Sequence, residues 1–232
     1  MKNFLTNLVK SASELITPDF IINSKGIGGD LVTDFDYKIE KYIIEQLKSN
    51  YPNYDIISEE FNENVNLTEN CFTIDPIDGT INFAHGLPFW GIQIACIENY
   101  KTTHAIIYLP ELNELFYADE SGAYLNDKKI NVNNLPKEKC LYSILEPISI
   151  ELLTKAKKEL NLNRSFYCAA IEFCYTACGR MGGYLFTKDT AWDYIPGQFI
   201  VKQAGGVVLN DKGKHIAANS NDMLEFLSSI AD

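Results

Sequence analysis

Residues 72–86 read FTIDPIDGTINFAHG, and within this stretch two aspartates lie three positions apart at the end of an apolar run. Pro76 stands between Asp75 and Asp78, and Gly-Thr follows directly. The aspartates either form an ordinary turn, in which Asp and Gly are common, or they supply the oxygen ligands of a metal site. The rest of the sequence distinguishes these two interpretations.

Length and charge limit the class of protein. The chain has 232 residues, 46% of them hydrophobic, which is enough to bury a large core. Its net charge is −11, from 20 Lys and Arg against 31 Asp and Glu, which predicts that it binds no nucleic acid. Because an acidic protein repels phosphate, an anionic substrate would require a bound cation or oriented backbone N–H groups.

The cysteines and the apolar segments indicate where the protein acts. The six cysteines lie among apolar neighbours without a C-x-x-C pair, and no charged segment followed by an apolar run opens the chain. This pattern predicts reduced thiols and a cytoplasmic location. Cys174 and Cys178 could share a metal, but two thiols make a poor site and small buried residues are the favoured interpretation. No apolar run approaches the ~20 residues of a membrane span, so we expect no membrane partner.

Hydrophobic spacing predicts alternating helices and sheets. Residues 2–17 carry apolar positions three to four apart, and a second amphipathic helix ends before Pro52. Later helices are predicted at 149–160, 169–178 and 192–206. Strands are predicted at 54–60, 71–76, 90–98, 103–110, 113–119, 165–168, 182–187 and 207–210. This order indicates an α+β fold, a layered αβαβα sandwich with mixed sheets, in a single domain with halves of about 1–135 and 136–232.

Acidic residues recur where predicted elements begin or end. They are Asp36, Glu59, Asp75, Asp78 and Asp193. Buried carboxylates that gather are costly unless they are protonated, paired or bound to metal. An aspartyl nucleophile with an acid partner would need an Asp-x-Asp pair on one face of a strand, and the sequence around residue 75 does not provide one.

The spacing of Asp75 and Asp78 favours a metal site instead. Pro76 fixes a bend that can aim both carboxylates at one point, with the Ile77 carbonyl as a third oxygen ligand. All-oxygen coordination selects Mg²⁺ or Mn²⁺ over zinc. From Gly79 a helix is predicted to start, and its first N–H groups can bind phosphate.

Four segments carry a resemblance to a known family. They are GGDLVTDFDYKIE (28–40), ISEEF (57–61), IDPIDGTINFAHGLPFWGIQIA (74–95) and AWDYIPGQFIVKQAGG (191–206). In this order they resemble the inositol monophosphatase family of Mg²⁺-dependent, lithium-sensitive phosphatases. The resemblance implies a fold like that of inositol monophosphatase and fructose-1,6-bisphosphatase, a homodimer, and hydrolysis of a small soluble phosphate ester by metal-activated water.

Carried over residue by residue, the resemblance implies two metal sites. Glu59, Asp75 and the Ile77 carbonyl would hold a first Mg²⁺. Asp75, Asp78 and Asp193 would hold a second, and Mn²⁺ could take the place of either ion. Asp193 could also cap the helix that follows it.

The resemblance also assigns the catalytic groups. Thr80 and Glu59 would orient and deprotonate the attacking water, with Asp36 behind Thr80 as its hydrogen-bond relay. Lys25 would belong to a mobile loop that can complete a third, weaker metal site. The residues expected to contact the substrate are Ile77, Asp78, Gly79, Thr80, Cys168, Phe186 and Asp193.

The substrate is the least determined part of this interpretation. Phe186 stands where the inositol-hydrolysing members place a glutamate that binds ring hydroxyls, and a site that loses such a partner often changes substrate. Inositol monophosphate or a similar polyol or sugar phosphate leads. The alternatives on the same scaffold are a 3′(2′),5′-bisphosphate nucleotide and histidinol phosphate. A non-catalytic regulatory or binding protein that retains the fold is the alternative of another class.

Overall fold

The computed structural model describes residues 1–17, 21–24, 31–144, 150–160, 162–188, 190–211 and 213–231. Lys25, predicted to lie in a mobile loop, is outside these residues. The helices in the described part are α1 (Lys2–Ser13), α2 (Asp34–Asn50), α3 (Thr80–Ala84), α4 (Ile150–Glu159), α5 (Ala169–Ala177), α6 (Ala191–Gln203) and α7 (Asn221–Ala231). The strands are β1 (Ile22–Ser24), β2 (Leu31–Thr33), β3 (Asp55–Ser58), β4 (Asn70–Asp78), β5 (Gly91–Glu98), β6 (Lys101–Leu109), β7 (Glu114–Asp119), β8 (Gly122–Leu125), β9 (Lys128–Ile130), β10 (Tyr142–Ile144), β11 (Gly183–Phe186), β12 (Val207–Asp211) and β13 (Lys214–Ala218).

The strands form two large mixed sheets and a small hairpin. The first sheet has seven strands in the order β3-β4-β5-β6-β7-β8-β9, with β3 and β4 parallel and the others antiparallel. The second has four strands in the order β10-β11-β13-β12, with β10 and β11 parallel. Strands β1 and β2 pair with each other. The short connections from β5 to β9 explain the antiparallel pairing of these strands, because consecutive strands joined by tight turns become neighbours.

Helices α1 and α2 cover one face of the seven-stranded sheet. Ile39 and Ile43 of α2 lie one turn apart and are fully buried with Leu5 of α1. They pack in one cluster with Ile74 and Ile92 of the sheet. The three-to-four spacing of apolar residues in α1 and α2 therefore places one stripe of each helix against the core.

Helices α5 and α6 lie between the two sheets. Phe173 of α5 and Ile200 of α6 share a buried cluster with Ala95 and Ile107 of the first sheet and with Ala217 of the second. On the outer face of the second sheet, α4 and α7 form a further buried cluster with it. The layers therefore run α, β, α, β, α, which confirms the predicted sandwich with mixed sheets. The single-domain organisation with halves that meet near residue 135 stays a prediction.

The strand predicted at 165–168 is wrong. These residues form a loop, and α5 begins at Ala169. Tyr167 has φ of 53°, a left-handed conformation that a strand does not allow. The backbone N–H of Phe166 donates to Glu172 at 2.7 Å instead of to a neighbouring strand. None of the described helices is long and apolar enough to cross a lipid bilayer.

Candidate metal and phosphate site

The predicted site residues in the described part, except Asp36, line one cavity of about 470 Å³. It is formed by the turn after β3, the end of β4 with α3, the loop before α5, and the segment from β11 into α6. Its lining residues are Glu59, Asp75, Ile77, Asp78, Gly79, Thr80, Ile81, Asn82, Tyr167, Cys168, Ala169, Tyr184, Phe186, Lys188, Thr190, Trp192 and Asp193. Asp36 reaches this set from behind, through Thr80.

A β-bulge brings Asp75 and Asp78 together. Residues three apart on a regular strand point to opposite faces. In β4, Asp75 lies opposite Gln93 and Asp78 lies opposite Gly91, so β4 carries one residue more than its partner over this interval. The Ile77 N–H donates to Asp75 Oδ1 at 3.0 Å and closes the bend. The bend predicted from the sequence is thus an irregularity inside a continuous strand.

Three carboxylates converge in the cavity. Oxygens of Asp75, Asp78 and Asp193 lie within 4.8 Å of one another. Burial raises the pKa of Asp75, and the charges of Glu59, Asp78 and Asp193 raise it further. Burial, and to a smaller extent the charge of Asp193, raises the pKa of Asp78 to about 7. Burial, and to a smaller extent the charge of Glu59, raises the pKa of Asp193 to about 6. A hard divalent cation fits this oxygen-only donor set, because it relieves the mutual repulsion that these shifts report.

Glu59 lies beside this cluster. Its carboxylate is not among the closely spaced oxygens of the described residues, but its charge raises the pKa of both Asp75 and Asp193. The Ile77 carbonyl, the predicted third ligand, accepts the Thr80 hydroxyl at 2.9 Å. A carbonyl oxygen has two lone pairs, so this bond leaves one of them for another partner.

The start of α5 holds Asp78 in place. The Ala170 N–H donates to Asp78 Oδ2, and the Cys168 thiol lies 3.3 Å from the same oxygen. Both contacts lower the pKa of Asp78 against the effect of burial, and a carboxylate is favoured at a helix N-terminus. Cys168, predicted to contact substrate, therefore also supports a predicted metal ligand.

Hydrogen bonds at the start of α2 hold the Asp36 side chain, which also contacts Thr80. Its Oδ2 accepts the Thr33 N–H at 2.7 Å and the Thr33 hydroxyl at 2.6 Å, in a capping box at the start of α2. Its Oδ1 lies 3.5 Å from the Thr80 hydroxyl, a long contact. The predicted relay from Asp36 to Thr80 is therefore present as a contact, but the stronger bond of Thr80 goes to Ile77.

Asp193 enters the site from the first turn of α6. It is the third residue of that helix, so it does not occupy the cap position, which belongs to Thr190. The Thr190 hydroxyl donates to the Asp193 carboxylate. The pattern T-x-x-D could have predicted this pair, because it is typical of a helix start.

The residues predicted to contact metal or substrate did not include Tyr167, Tyr184, Lys188 or Trp192 of the cavity wall, although Trp192 lies in the segment 191–206 that carries the resemblance. Trp192 is only 9% exposed, and most of its side chain packs in the buried cluster between the two sheets. Lys188 is exposed, and its charge lowers the pKa of Asp193 against the effect of burial. These residues come from the β11–α6 segment and from the loop before α5, which only the fold brings to β4.

Gly79 joins β4 to α3 in a conformation that alanine rarely adopts. Its φ is 84°, and an added Cβ would lie 2.7 Å from the Phe89 carbonyl oxygen. We expect Gly79→Ala to lower the free energy of unfolding by about 2 kcal/mol or more, from left-handed backbone strain and the clash together. Urea denaturation measures this loss.

Gly86→Ala is the matched control. Gly86 has φ of 71°, but no described atom lies within 4 Å of an added Cβ. This variant should show the left-handed strain alone, about 1 kcal/mol. Equal losses in the two variants would contradict the close approach at Gly79.

Comparison with known proteins agrees with this geometry. Residues 1–228 match the model of the inositol monophosphatase family. A fructose-1,6-bisphosphatase/inositol-1-monophosphatase of Thermotoga maritima is 33% identical over 84% of this chain and 77% of its own length. The Nus factor SuhB of Escherichia coli is 31% identical over 100% of this chain and 96% of its own. The solved inositol monophosphatase of Thermotoga maritima superposes with a TM-score of 0.86, at 27% identity, over 99% of this chain and 96% of that one.

The match covers every segment that contributes to the cavity, from the turn after β3 to the start of α6. The oxygen-only carboxylate cluster lies where these segments meet. Members of the matched family are phosphatases. On the family match and the identity of these relatives, the chain belongs to the inositol monophosphatase family.

Proposed function

We propose that this protein is a Mg²⁺-dependent phosphomonoesterase that hydrolyses a small soluble phosphate ester by direct attack of water. The observation that carries the proposal is the convergence of Asp75, Asp78 and Asp193 within 4.8 Å in a cavity of about 470 Å³. The backbone of residues 79–81 lines the same cavity, and the first N–H groups of a helix have no intrahelical acceptor. Carboxylates on one side and N–H groups on the other suit a metal-bound phosphate.

We infer two cation positions, of which the second is supported by the close carboxylate cluster. Glu59, Asp75 and the Ile77 carbonyl would hold the first, and Asp75, Asp78 and Asp193 the second. One Asp78 oxygen is already bonded to the Ala170 N–H, which leaves the other free for a cation. Divalent ions bound here would neutralise phosphate charge and acidify water. Mn²⁺ could serve in place of Mg²⁺, since both prefer oxygen ligands.

The chain's own residues orient the water and receive its proton. The Thr80 hydroxyl donates to Ile77 at 2.9 Å, so its oxygen is left to accept a hydrogen bond from water. Glu59, at the cavity wall, accepts the second proton as water oxygen bonds to phosphorus. The P–O ester bond breaks, its electron pair passes to the leaving oxygen, which would lie next to Asp193 and takes up a proton from solvent, and Glu59 returns its proton to solvent. This route needs no covalent phosphoenzyme, because phosphoryl transfer depends on positioning and charge neutralisation.

The aromatic residues of the cavity wall bear on the choice of leaving group. Phe186 is 2% exposed and packs against Phe173 and Tyr184, so it offers little ring area for stacking. Tyr167, 59% exposed at the rim, is the aromatic residue that a base or imidazole could stack on. The Tyr184 hydroxyl is buried and has no hydrogen-bond partner among the described residues, which favours a leaving group that carries a hydroxyl.

We therefore retain inositol monophosphate or a similar polyol or sugar phosphate as the leading substrate. A 3′(2′),5′-bisphosphate nucleotide is the second candidate, because Tyr167 and the exposed Lys188 could bind its base and second phosphate. Histidinol phosphate stays in the comparison as an imidazole ester. The cytoplasmic location, the homodimer and the absence of a nucleic-acid partner stay predictions. The similar relatives include proteins named Nus factor SuhB in addition to one named as a phosphatase.

Release of inorganic phosphate tests the proposal. Inositol monophosphate, a sugar phosphate, adenosine 3′,5′-bisphosphate and histidinol phosphate are each incubated with the protein and Mg²⁺, Mn²⁺ or EDTA, with and without Li⁺. We expect release from at least one ester with Mg²⁺, no release with EDTA, and inhibition by Li⁺. A folded protein that hydrolyses none of them at any Mg²⁺ concentration would support the non-catalytic alternative.

A further inference from the structure

Helix α2 buries two carboxylates on the same side, one turn apart. Asp36 and Glu40 are both 0% exposed, and residues four apart lie one above the other on a helix. Asp36 contacts Thr80 and belongs to the proposed water-activating set. Glu40 has no assigned role, although a fully buried carboxylate is costly unless its bonds are specific.

Glu40 binds the turn that carries Glu59. Its Oε2 accepts the Glu60 N–H at 2.9 Å, and its Oε1 accepts the Phe61 N–H at 2.9 Å. The Ser58 hydroxyl is a third partner, at the end of β3. Glu59 thus lies between residues that are bonded to α2. Directly before it, the Ser58 side chain bonds to Glu40. Directly after it, the backbone N–H groups of Glu60 and Phe61 bond to the same carboxylate.

Further contacts close the same turn. The Asn62 N–H donates to the Ser58 carbonyl at 3.3 Å, and the Asn62 amide donates to the Ser58 hydroxyl at 3.0 Å. The rings of Tyr37 and Phe61 meet edge to face at 5.8 Å on the outside. Helix α2 therefore holds the turn both by a buried carboxylate and by an exposed aromatic pair.

The bonded turn lies at the protein surface, since Phe61 is exposed and Glu60 is half-buried. Surface loops are the more mobile parts of a fold. A carboxylate that accepts two N–H groups with separate oxygens instead fixes both the distance and the orientation of the turn. The gain is geometric, and a ligand or general base on a turn needs such support.

We propose that Glu40 is a positioning residue that fixes Glu59 against Asp75 and Asp193. With Asp36 on the same helix, it makes α2 the common support of both groups that act on the water. The proposal rests on the proposed function, since Glu59 is the ligand and base in that mechanism. Glu40 itself touches neither cation nor substrate; it acts through the backbone of the turn.

Glu40→Gln tests the role, because it keeps the shape and replaces one accepting oxygen with a donor. Loss of support behind a metal ligand typically costs about 10- to 100-fold in metal affinity or activity. We expect the half-saturating Mg²⁺ concentration to rise about 10-fold or more by calorimetry and in the phosphate-release assay, and kcat to fall similarly. The KM for substrate at saturating Mg²⁺ should change less than about threefold. Glu45→Gln, at an exposed position of the same helix, is the control and should behave as wild type.

Ser58→Ala provides a second, milder variant that removes the third bond to Glu40 together with the bond from the Asn62 amide, and leaves both N–H bonds of Glu40 in place. We expect the half-saturating Mg²⁺ concentration to rise about threefold, and this variant decides the question if Glu40→Gln is not recovered folded. The positioning role is overturned if wild type binds Mg²⁺ and the variants bind it equally well, even with lowered melting temperatures. A wild type that binds Mg²⁺ but releases no phosphate overturns the hydrolytic function alone, whereas a wild type that binds no Mg²⁺ overturns both.

Discussion

Asp75→Asn is expected to lower phosphate release by about 10³-fold, a loss of about 4 kcal/mol of transition-state stabilisation. Asp75 is 1% exposed at the centre of the carboxylate cluster, and it is the only residue assigned to both proposed cations. Asparagine keeps an oxygen that can accept the Ile77 N–H, now bonded at 3.0 Å, but it removes the negative charge. Release of phosphate at saturating Mg²⁺ measures the effect, with Asp55→Asn on an exposed position of β3 as control.

The same variant should be more stable than wild type in EDTA. Burial and the charges of Glu59, Asp78 and Asp193 raise the pKa of Asp75, and its protonated form donates a hydrogen bond to Asp193. Asparagine is neutral and can donate that bond at any pH. A higher melting temperature together with lost activity separates a missing ligand from misfolding. Activity above about a tenth of wild type would contradict the assignment of Asp75 to both metals.

In EDTA the free energy of unfolding should fall by a few kcal/mol between pH 5 and pH 8. The pKa is about 7 for folded Asp78 and about 6 for folded Asp193, against 3.8 for an ordinary aspartate. Between those values the folded state binds more protons than the unfolded state, so stability decreases as pH rises. The favourable contribution is complete below about pH 4 and is lost through pH 6 to 7, at about 1.4 kcal/mol for each unit of pKa shift.

Mg²⁺ should reverse much of this loss, and more so at pH 8 than at pH 5. A ligand present at 100 times its Kd stabilises the folded state by about 2.7 kcal/mol, and ionised carboxylates bind it more tightly. Burial also raises the pKa of Glu40, and it raises the pKa of Glu172 to about 7. Neither is a proposed ligand, so the difference between Mg²⁺ and EDTA curves isolates the cluster.

Denaturant titrations at both pH values, each with Mg²⁺ and with EDTA, measure these terms. Asp75→Asn is the matched variant, because it removes one of the mutually repelling acids. Its EDTA curve should depend less on pH, and Mg²⁺ should stabilise it less. Equal stabilisation of the wild type by Mg²⁺ at pH 5 and pH 8 would contradict the coupling of the cation to these carboxylates.

Local pattern predicted the described helices except α7, and five of the seven strands of the first sheet, β3 to β7. The periodic apolar residues of α2 end just before Pro52, and the helix ends at Asn50. Conversely, the chain at 165–168 looks like a strand but is a loop. There Glu172, on the following helix, binds the Phe166 N–H at 2.7 Å and Tyr167 adopts a left-handed φ, and neither effect has a local signal.

Local sequence also predicted only part of the candidate site. Pro76 indicated a bend around Asp75 and Asp78, and the β-bulge of β4 provides one. Asp193 was singled out as an acidic residue at the end of an element, but its place in the metal site came from the resemblance, since nothing in the local sequence connects it with residues so far away along the chain. The burial of Phe186, 2% exposed beneath Tyr184, was not foreseen, because exposure depends on what packs on a strand.

The sequence by itself determined the local geometry: which segments are helical, where the chain bends, and which side chains carry negative charge. Only the tertiary structure decided that Asp75, Asp78 and Asp193 meet, that the start of α5 holds Asp78, and that Glu40 supports the turn of Glu59. The physical reason is that dihedral preferences and hydrophobic period act over a few residues. Hydrogen bonds and charge repulsion between distant segments exist only after the two sheets and their helices have packed.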